Sequence, residues 1–554
     1  MFEKYADNLD ESEDLIPVDK DFRIIFDNIQ YKWRIFCRYD EDLEDLKKAF
    51  ACENKAAFYM KMHGYNVDTK HYVVNQFGYF PVGLIFEVLK YIRLEYGDCS
   101  TVAMSKNAIA FMNDHLMPLR KFASDRDKNE FKISNVSSSL EPREYQVNAI
   151  KSIIFDGRGR GLLELPTGSG KSFVIANFIY TLLQQYDSEL RTLIFVPNKQ
   201  LVEQFYSDLV EYGFDKSILG KLTGSMKKND PTVANRNTKI VIGNRQYLCA
   251  NPDKVPEKLD VFIADECHQI TPDSATYEFV EKINCPIKIG CSGTLPREKY
   301  SKLLLTGLFS KMFYSENITD LQSQGFLTKI NITLLNLFDE QVEFDRDKLF
   351  SMNSRRKFNA AKGNIAFNAA YSAETEYLTE NCEELYSPVL DYVEKNYSGK
   401  NVLVLFDRIE FGKKIFAKAE NDYKSNESAF HKPYYIDGSV KVETREAIRA
   451  EFEKTSGNIL YAQTTVMSTG VNIKNLSVIV FLFQTKSASR VIQSIGRTLR
   501  LHAGKDFSAV IDVVFNYKYS QKHYEERLNL YKEFYKKKKP DKIVNLSVGL
   551  GIGA

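Results

Sequence analysis

Three short blocks hold the residues whose types and spacing suit chemistry. They are Leu165-Pro166-Thr167-Gly168-Ser169-Gly170-Lys171-Ser172, Asp265-Glu266-Cys267-His268 and Gln493-Ser494-Ile495-Gly496-Arg497-Thr498-Leu499-Arg500. In the first, Gly168 and Gly170 let backbone N–H groups converge on a β-phosphate, and a following helix adds its dipole. Lys171 suits the β- and γ-phosphates, and the Ser172 hydroxyl suits magnesium. In the second block Asp265 suits magnesium, directly or through water, and Glu266 suits a base that orients an attacking water. In the third, Gln493, Arg497 and Arg500 recur at spacings of three and four, on neighbouring faces of a helix. Two guanidiniums are costly to bury without anions, and a γ-phosphate is their natural partner. Each block has a bland reading taken singly: a glycine-rich turn, a helix start, a solvated basic face. In this order they describe a motor ATPase with ATP and Mg²⁺ as cofactors.

Elements to position these blocks are visible on either side. Gly161–Leu165, Thr192–Val196, Ile240–Ile242, Val261–Ala264 and Ile287–Ile289 read as buried strands between helical stretches. The pattern returns in Asn401–Phe406, Tyr434–Ile436, Asn458–Tyr461, Val478–Leu482 and Ala509–Val514. Two successive βα arrays predict an α/β fold with two doubly wound parallel sheets, whose ligands bind beyond the carboxyl ends of the strands. The expected division is an N-terminal accessory domain over 1–120, a serine-rich linker over 121–140, a first lobe over 141–318, a second over 319–520 and a helical basic tail over 521–554.

Composition narrows the class. A 554-residue chain with 44% hydrophobic and 27% charged residues builds several cores. Its eight cysteines contain no Cys-x-x-Cys pair, which speaks against a zinc ribbon or a disulfide framework. The first twenty residues are acidic without an apolar core, and no run reaches the length that spans a bilayer. The expectation is a soluble, monomeric protein of a bacterial or phage-infected host cytoplasm, with no membrane partner. A net charge of +2 leaves nucleic acid open, since binding depends on local patches. Lys227-Lys228, Arg355-Arg-Lys357 and Lys536–Lys539 are such patches, and the last reads more simply as solvated surface.

With the motifs in order, the chain resembles the superfamily 2 helicases of the Asp-Glu-x-His group over their whole core, Glu141 to Val514. That resemblance implies two tandem RecA-like lobes behind a small N-terminal α+β accessory domain. Glu141-Pro-Arg143-Glu-Tyr-Gln146 resembles the adenine-reading Q motif, with Gln146 pairing bidentately with the base. Arg143, Pro166, Thr167, Ser169 and Gly470 join the implied nucleotide contacts. Ile194–Leu201 is similar to motif Ia, and Gly243–Tyr247 takes the place of the next strand-contacting motif. Ser292-Gly-Thr294 resembles motif III, which with His268 implies coupling of hydrolysis to movement. Leu403–Arg408 resembles motif IV and Ser468-Thr469-Gly470-Val-Asn472 motif V. Pro197, Asn198, Asn244, Gln246, Arg408, Ser468 and Thr469 are the implied nucleic-acid contacts. Leu165 replaces the opening glycine of the phosphate-loop pattern. Asn472 stands where motif V often has an acid, and Cys267 where many relatives have alanine.

Within the superfamily the chain is similar to the phage UvsW type, branched-DNA helicases of recombination and replication restart. The likeness rests on the Asp-Glu-Cys-His spelling, on Val466–Leu476 and on Phe80-Pro-Val-Gly-Leu84. It implies a DNA-binding role for the first region; a module that only braces the first lobe is the equal alternative. The resulting expectation is an ATP-dependent helicase or translocase on branched or partly single-stranded DNA. Three rivals stand beside it: an RNA helicase, the translocating subunit of a restriction system, and a nucleotide-gated remodeller that separates no strands.

Overall fold

The computed structural model describes residues 20–54, 60–61, 65, 67–97, 102–224, 230, 232–235, 237–272, 274–339, 374–425, 428, 430–468, 473, 475–482, 491, 494–496 and 507–548. They fall into two compact units. The first holds the chain to Leu165 and from Gly170 to Glu316; the second holds Pro166–Ser169 and everything from Asn317 onward.

The first unit opens with a small α+β region. Strands β1 (Phe22–Asp27) and β2 (Lys32–Cys37) form an antiparallel hairpin. A short pair, β3 (Ala51–Glu53) and β4 (Lys70–Tyr72), follows. With β5 (Tyr79–Phe80) and β6 (Val102–Met104), the hairpin completes a four-stranded sheet in the order β5-β2-β1-β6. Trp33 is fully buried and donates its indole N–H to the Val82 carbonyl at 2.8 Å.

The seven-stranded sheet of this unit is parallel throughout. Its strands are β7 (Arg160–Glu164), β8 (Thr192–Val196), β9 (Leu219–Leu222), β10 (Ile240–Asn244), β11 (Val261–Ala264), β12 (Ile287–Ser292) and β13 (Met312–Ser315), in the order β13-β7-β12-β11-β8-β10-β9. Burial on both faces explains why β7, β8, β10, β11 and β12 read as apolar runs, whereas the edge strands β9 and β13, with Gly220 and Lys221 in the first and half-exposed residues in the second, do not. The strand order has a chemical consequence. β12 lies between β7 and β11, so Ser292-Gly-Thr294 emerges between the glycine-rich loop after β7 and the acids after β11.

The small region and this sheet share one apolar cluster that runs from Trp33 and Phe80 to Phe262 and Phe309. Their backbones meet closely where Val82–Leu84 crosses the helix Lys299–Phe309: a side chain on Gly83 would come within 2.1 Å of the Thr306 carbonyl oxygen. Lys299 donates to the Ala51 carbonyl at 3.0 Å, and His71 stacks on Tyr300 with ring centroids 4.1 Å apart. Buried Arg160 donates to the His115 carbonyl at 3.1 Å and the Leu308 carbonyl at 2.9 Å, joining the two parts from inside. Gly83→Ala should therefore force backbone apart and lower stability by about 1–3 kcal/mol, as overpacking does. An unchanged thermal unfolding midpoint would show that this seam tolerates a methyl group.

Residues after the short helix Arg120–Ser124 do not hang free. Ser134 and Val136 donate backbone N–H groups to Thr181 Oγ1 and Asn177 Oδ1, each at 3.0 Å. The polar stretch read as a linker is thus strapped along the helix Lys171–Gln185, whose polar side chains supply its backbone partners.

The second unit has its own seven-stranded parallel sheet, made of β14 (Lys329–Asp339), β15 (Val402–Phe406), β16 (Pro433–Ile436), β17 (Ile459–Gln463), β18 (Val478–Phe481), β19 (Phe507–Phe515) and β20 (Lys542–Val548). The order is β16-β17-β15-β18-β19-β14-β20. Here the tail differs from the sequence reading: after the helix Lys518–Tyr535 the chain returns to the sheet as β20, beside β14. Arg527 fastens that helix to β19, its Nη2 lying 2.8 Å from Asp512 Oδ1 with both side chains buried. Among the described residues no helix is long and apolar enough to cross a membrane.

Candidate active site

The phosphate-loop glycines adopt backbone angles that disfavour side chains. Gly168 has φ 91° and Gly170 φ 78°, the left-handed region open to glycine at little cost. Gly170 caps the helix Lys171–Gln185. Having no side chain, it offers no cap to the first N–H groups of the helix, a place that suits an anion. A Cβ at Gly170 would also approach Gln146 Nε2 to 2.6 Å. Gln146 itself caps the helix Glu144–Phe155: its Oε1 accepts the Arg143 backbone N–H at 2.9 Å. An adenine edge paired to the same amide competes with that cap.

β11 carries the carboxylates. Asp265 extends its ladder by donating a backbone N–H to Phe195 O at 2.9 Å. Glu266 then turns into the left-handed region at φ 50°, a conformation that costs a non-glycine residue about 1–3 kcal/mol. The turn aims both acids at one cation: Lys171 Nζ lies 2.8 Å from Asp265 Oδ1 and 2.9 Å from Glu266 Oε1. Burial works against the Lys171 charge, yet the two carboxylates outweigh it and hold its pKa above the usual lysine value. Burial also opposes the Glu266 charge, but Lys171 and His268 prevail and its pKa falls below the usual carboxylate range. At Asp265 burial, with the neighbouring Glu266 charge behind it, outweighs Lys171 and raises the pKa. Two carboxylates share one ammonium, so full ionisation leaves a negative charge in excess.

That excess and the hard oxygen donors of Asp265 and Ser172 fit a magnesium ion. Ser172 Oγ is 2.9 Å from the Tyr212 hydroxyl, a neighbour with no signal in the sequence because it comes from the far end of the helix Lys199–Tyr212.

The second acid is wired onward. His268 Nδ1 lies 3.3 Å from Glu266 Oε2 and 2.9 Å from Ser292 Oγ. The Ser292 hydroxyl gives its one proton to the Thr294 carbonyl at 2.8 Å and accepts the Thr294 N–H at 3.1 Å. With that proton committed, Nδ1 of His268 carries the hydrogen that faces Ser292. Gln146, Gly170, Lys171, Ser172, Asp265, Glu266, His268, Ser292 and Thr294 are all supplied by the first unit, at or beyond the carboxyl ends of β7, β11 and β12 or on the helix before β7.

The other expected residues are more dispersed. Pro166, Thr167 and Ser169 form the loop itself, with Ser169 N–H donating to Pro166 O at 3.1 Å. Pro197 and Asn198 follow β8, and the Asn198 side chain caps the next helix by accepting the Leu201 N–H at 3.0 Å. Asn244 ends β10 with its amide buried, and Gln246 lies on the helix Arg245–Ala250. Arg408 precedes the helix Ile409–Lys424, and Ser468 ends the helix Thr464–Ser468. Thr469, Gly470, Asn472, Gln493, Arg497 and Arg500 lie outside the described residues, as do Lys227-Lys228 and Arg355–Lys357.

Residues 139–297 match the family of the type III restriction enzyme res subunit, and residues 383–502 match the helicase conserved C-terminal domain. The chain belongs to the superfamily 2 helicases. The ATP-dependent DNA helicase uvsW of Enterobacteria phage T4 is 28% identical over 391 residues, 70% of this chain and 71% of that protein. The putative helicase 22 of a Sulfolobus islandicus filamentous virus is 24% identical over 408 residues, 72% and 68% of the two chains. Among solved structures, S. cerevisiae Dbp5 bound to RNA and ADP BeF3 aligns with a TM-score of 0.50 at 14% identity, over 74% of this chain and 91% of that one. The two parallel sheets of this helicase are accordingly its tandem RecA-like lobes, and its chemistry is nucleic-acid-dependent hydrolysis of ATP.

Proposed function

We propose that this helicase works on DNA that is branched or partly single-stranded, in recombination, repair or replication restart, and that it uses Mg²⁺ with ATP. The observation that carries the chemistry is the Lys171 ammonium held between Asp265 and Glu266. The choice of DNA rests on the likeness to the T4 DNA helicase. Mg²⁺ held by Ser172 and Asp265 would neutralise phosphate charge. Binding of the triphosphate draws Lys171 from the carboxylates to the β- and γ-phosphates. Glu266 Oε1, released from the ammonium and already ionised, then accepts a proton from the attacking water. Arg497 and Arg500, with Gln493, supply cationic and polar partners for the charge that develops on the γ-phosphate. The break at Glu266 passes through His268 to Ser292 and Thr294.

Pro197, Asn198, Asn244, Gln246, Arg408, Ser468 and Thr469 are proposed to follow the strand backbone, which makes the action independent of sequence. The proposed division is an accessory domain to 120, a first lobe over 141–318 and a second over 319–520, with the basic tail from 521 returning its strand β20 to the sheet of the second lobe, the whole acting as a monomer in a bacterial or phage-infected cytoplasm.

The test is displacement of a labelled strand from forked DNA and from a forked RNA of equal length. ATP-dependent displacement at least tenfold faster on DNA is expected. Equal or faster displacement of RNA overturns the DNA assignment, and displacement from neither, with ATP still consumed, favours a translocase that separates no strands.

A further inference from the structure

Glu164 is the last residue of β7, next to the phosphate loop, and neither the loop chemistry nor the carboxylate pair uses it. In the sheet it is flanked by Ser292 of β12 on one side and Ser315 of β13 on the other. Its carboxylate reaches to both sides. Oε1 accepts the Leu295 backbone N–H at 2.8 Å, and Oε2 accepts the Ser315 hydroxyl at 2.9 Å. The Glu164 backbone carbonyl accepts the Glu316 N–H at 3.0 Å, and Leu165 N–H donates to Ser292 O at 2.9 Å.

These contacts close a continuous path. Glu266 meets His268, His268 meets Ser292, and the segment that leaves Ser292 reaches Glu164 through Leu295. From Glu164 the path enters Ser315 and Glu316, the last residues of the first unit before the chain passes into the second at Asn317. One rigid carboxylate bonded to both segments prevents them from moving independently. A displacement of Thr294–Leu295 on nucleotide exchange must pull on the strand that leads into the second unit, or break a charge-assisted hydrogen bond.

We propose that Glu164 is a positioning residue that carries the nucleotide state from Ser292-Gly-Thr294 into the segment that connects the two units. This rests on the reading of the chain as an ATP-driven DNA helicase. Glu164 touches neither phosphates nor water in this role, so its loss should leave nucleotide binding intact and remove the link between nucleotide and DNA affinity. That link is a ratio: the dissociation constant for forked DNA with ADP against that with a non-hydrolysable ATP analogue.

Measured on the full chain, the parent should show a ratio at least tenfold away from one. Glu164→Ala should bring it within about twofold of one while both nucleotides bind within threefold of the parent. Glu164→Gln keeps a carbonyl oxygen for the Leu295 N–H and an amide N–H for Ser315 Oγ, so it should retain most of the parent ratio. That variant separates a lost link from a damaged fold. An alanine variant with the parent ratio, or one that loses nucleotide affinity more than tenfold, overturns the role of Glu164, as does a parent ratio of one. A parent that binds no forked DNA overturns the DNA reading itself.

Discussion

Lys171→Ala should abolish ATP turnover, lowering it on the order of a thousandfold or more, because the γ-phosphate loses its main fixed cation. A second effect comes from the protein without nucleotide. Lys171 Nζ is the ion-pair partner of Asp265 at 2.8 Å and Glu266 at 2.9 Å, and those side chains are only 5% and 19% exposed. Removing one partner from a buried ion pair costs about 3–5 kcal/mol, since a charge is left without compensation. The variant should therefore unfold at lower temperature in the absence of Mg²⁺. Forked-DNA binding should change little, as the described residues proposed for it follow β8, end β10 or lie on the helix after it, precede the helix Ile409–Lys424 or end the helix Thr464–Ser468. Near-parental hydrolysis by this variant would remove the phosphate-loop assignment.

Glu266→Gln should separate binding from chemistry. The amide keeps the shape, can still lie beside Lys171 and leaves Asp265 and Ser172 in place. It cannot take a proton from water, so hydrolysis should slow by roughly 10²–10⁴, the usual range for a lost general base. Nucleotide affinity should hold or improve. The substitution also removes the negative neighbour that helps to raise the Asp265 pKa, so Asp265 should ionise more readily. The check is pre-steady-state hydrolysis beside equilibrium binding of a fluorescent nucleotide. Collapsed binding with normal turnover of the bound fraction would make the Glu266 carboxylate structural.

Much of this was legible in the sequence where one local cause dominates. Lys171 and Ser172 follow two glycines that tolerate left-handed angles, and Asp265 follows an apolar strand buried on both faces; such features are written in adjacent residues. What depends on distant neighbours was not. β14 and β20 escaped notice because Asn331, Thr333, Asn336 and Asn545 interrupt their apolar pattern and because Lys536–Lys539 makes the tail read as a solvated helix. Those segments form a strand pair, with Thr333 opposite Lys542 and Leu337 opposite Leu546. Tyr212 and Glu164 carry no motif; they matter because of strand order and helix crossing, which place them beside Ser172 and between β12 and β13. The serine-rich stretch before Glu141 reads as a linker since its partners, Asn177 and Thr181, are forty-odd residues away. The left-handed turn at Glu266 is likewise invisible in residue type, because the cost is borne for the sake of the contacts with Lys171 and His268.

The central claim is that the charge cluster of Lys171, Asp265 and Glu266 is the hydrolytic site of a motor driven by nucleic acid. Steady-state ATP turnover, measured with and without saturating forked DNA in the parent and in Lys171→Ala, tests it most directly. The parent rate should rise at least tenfold with DNA, and the variant should stay at background in both conditions. A parent rate that is the same with and without DNA, or a variant that DNA still stimulates, would contradict the account.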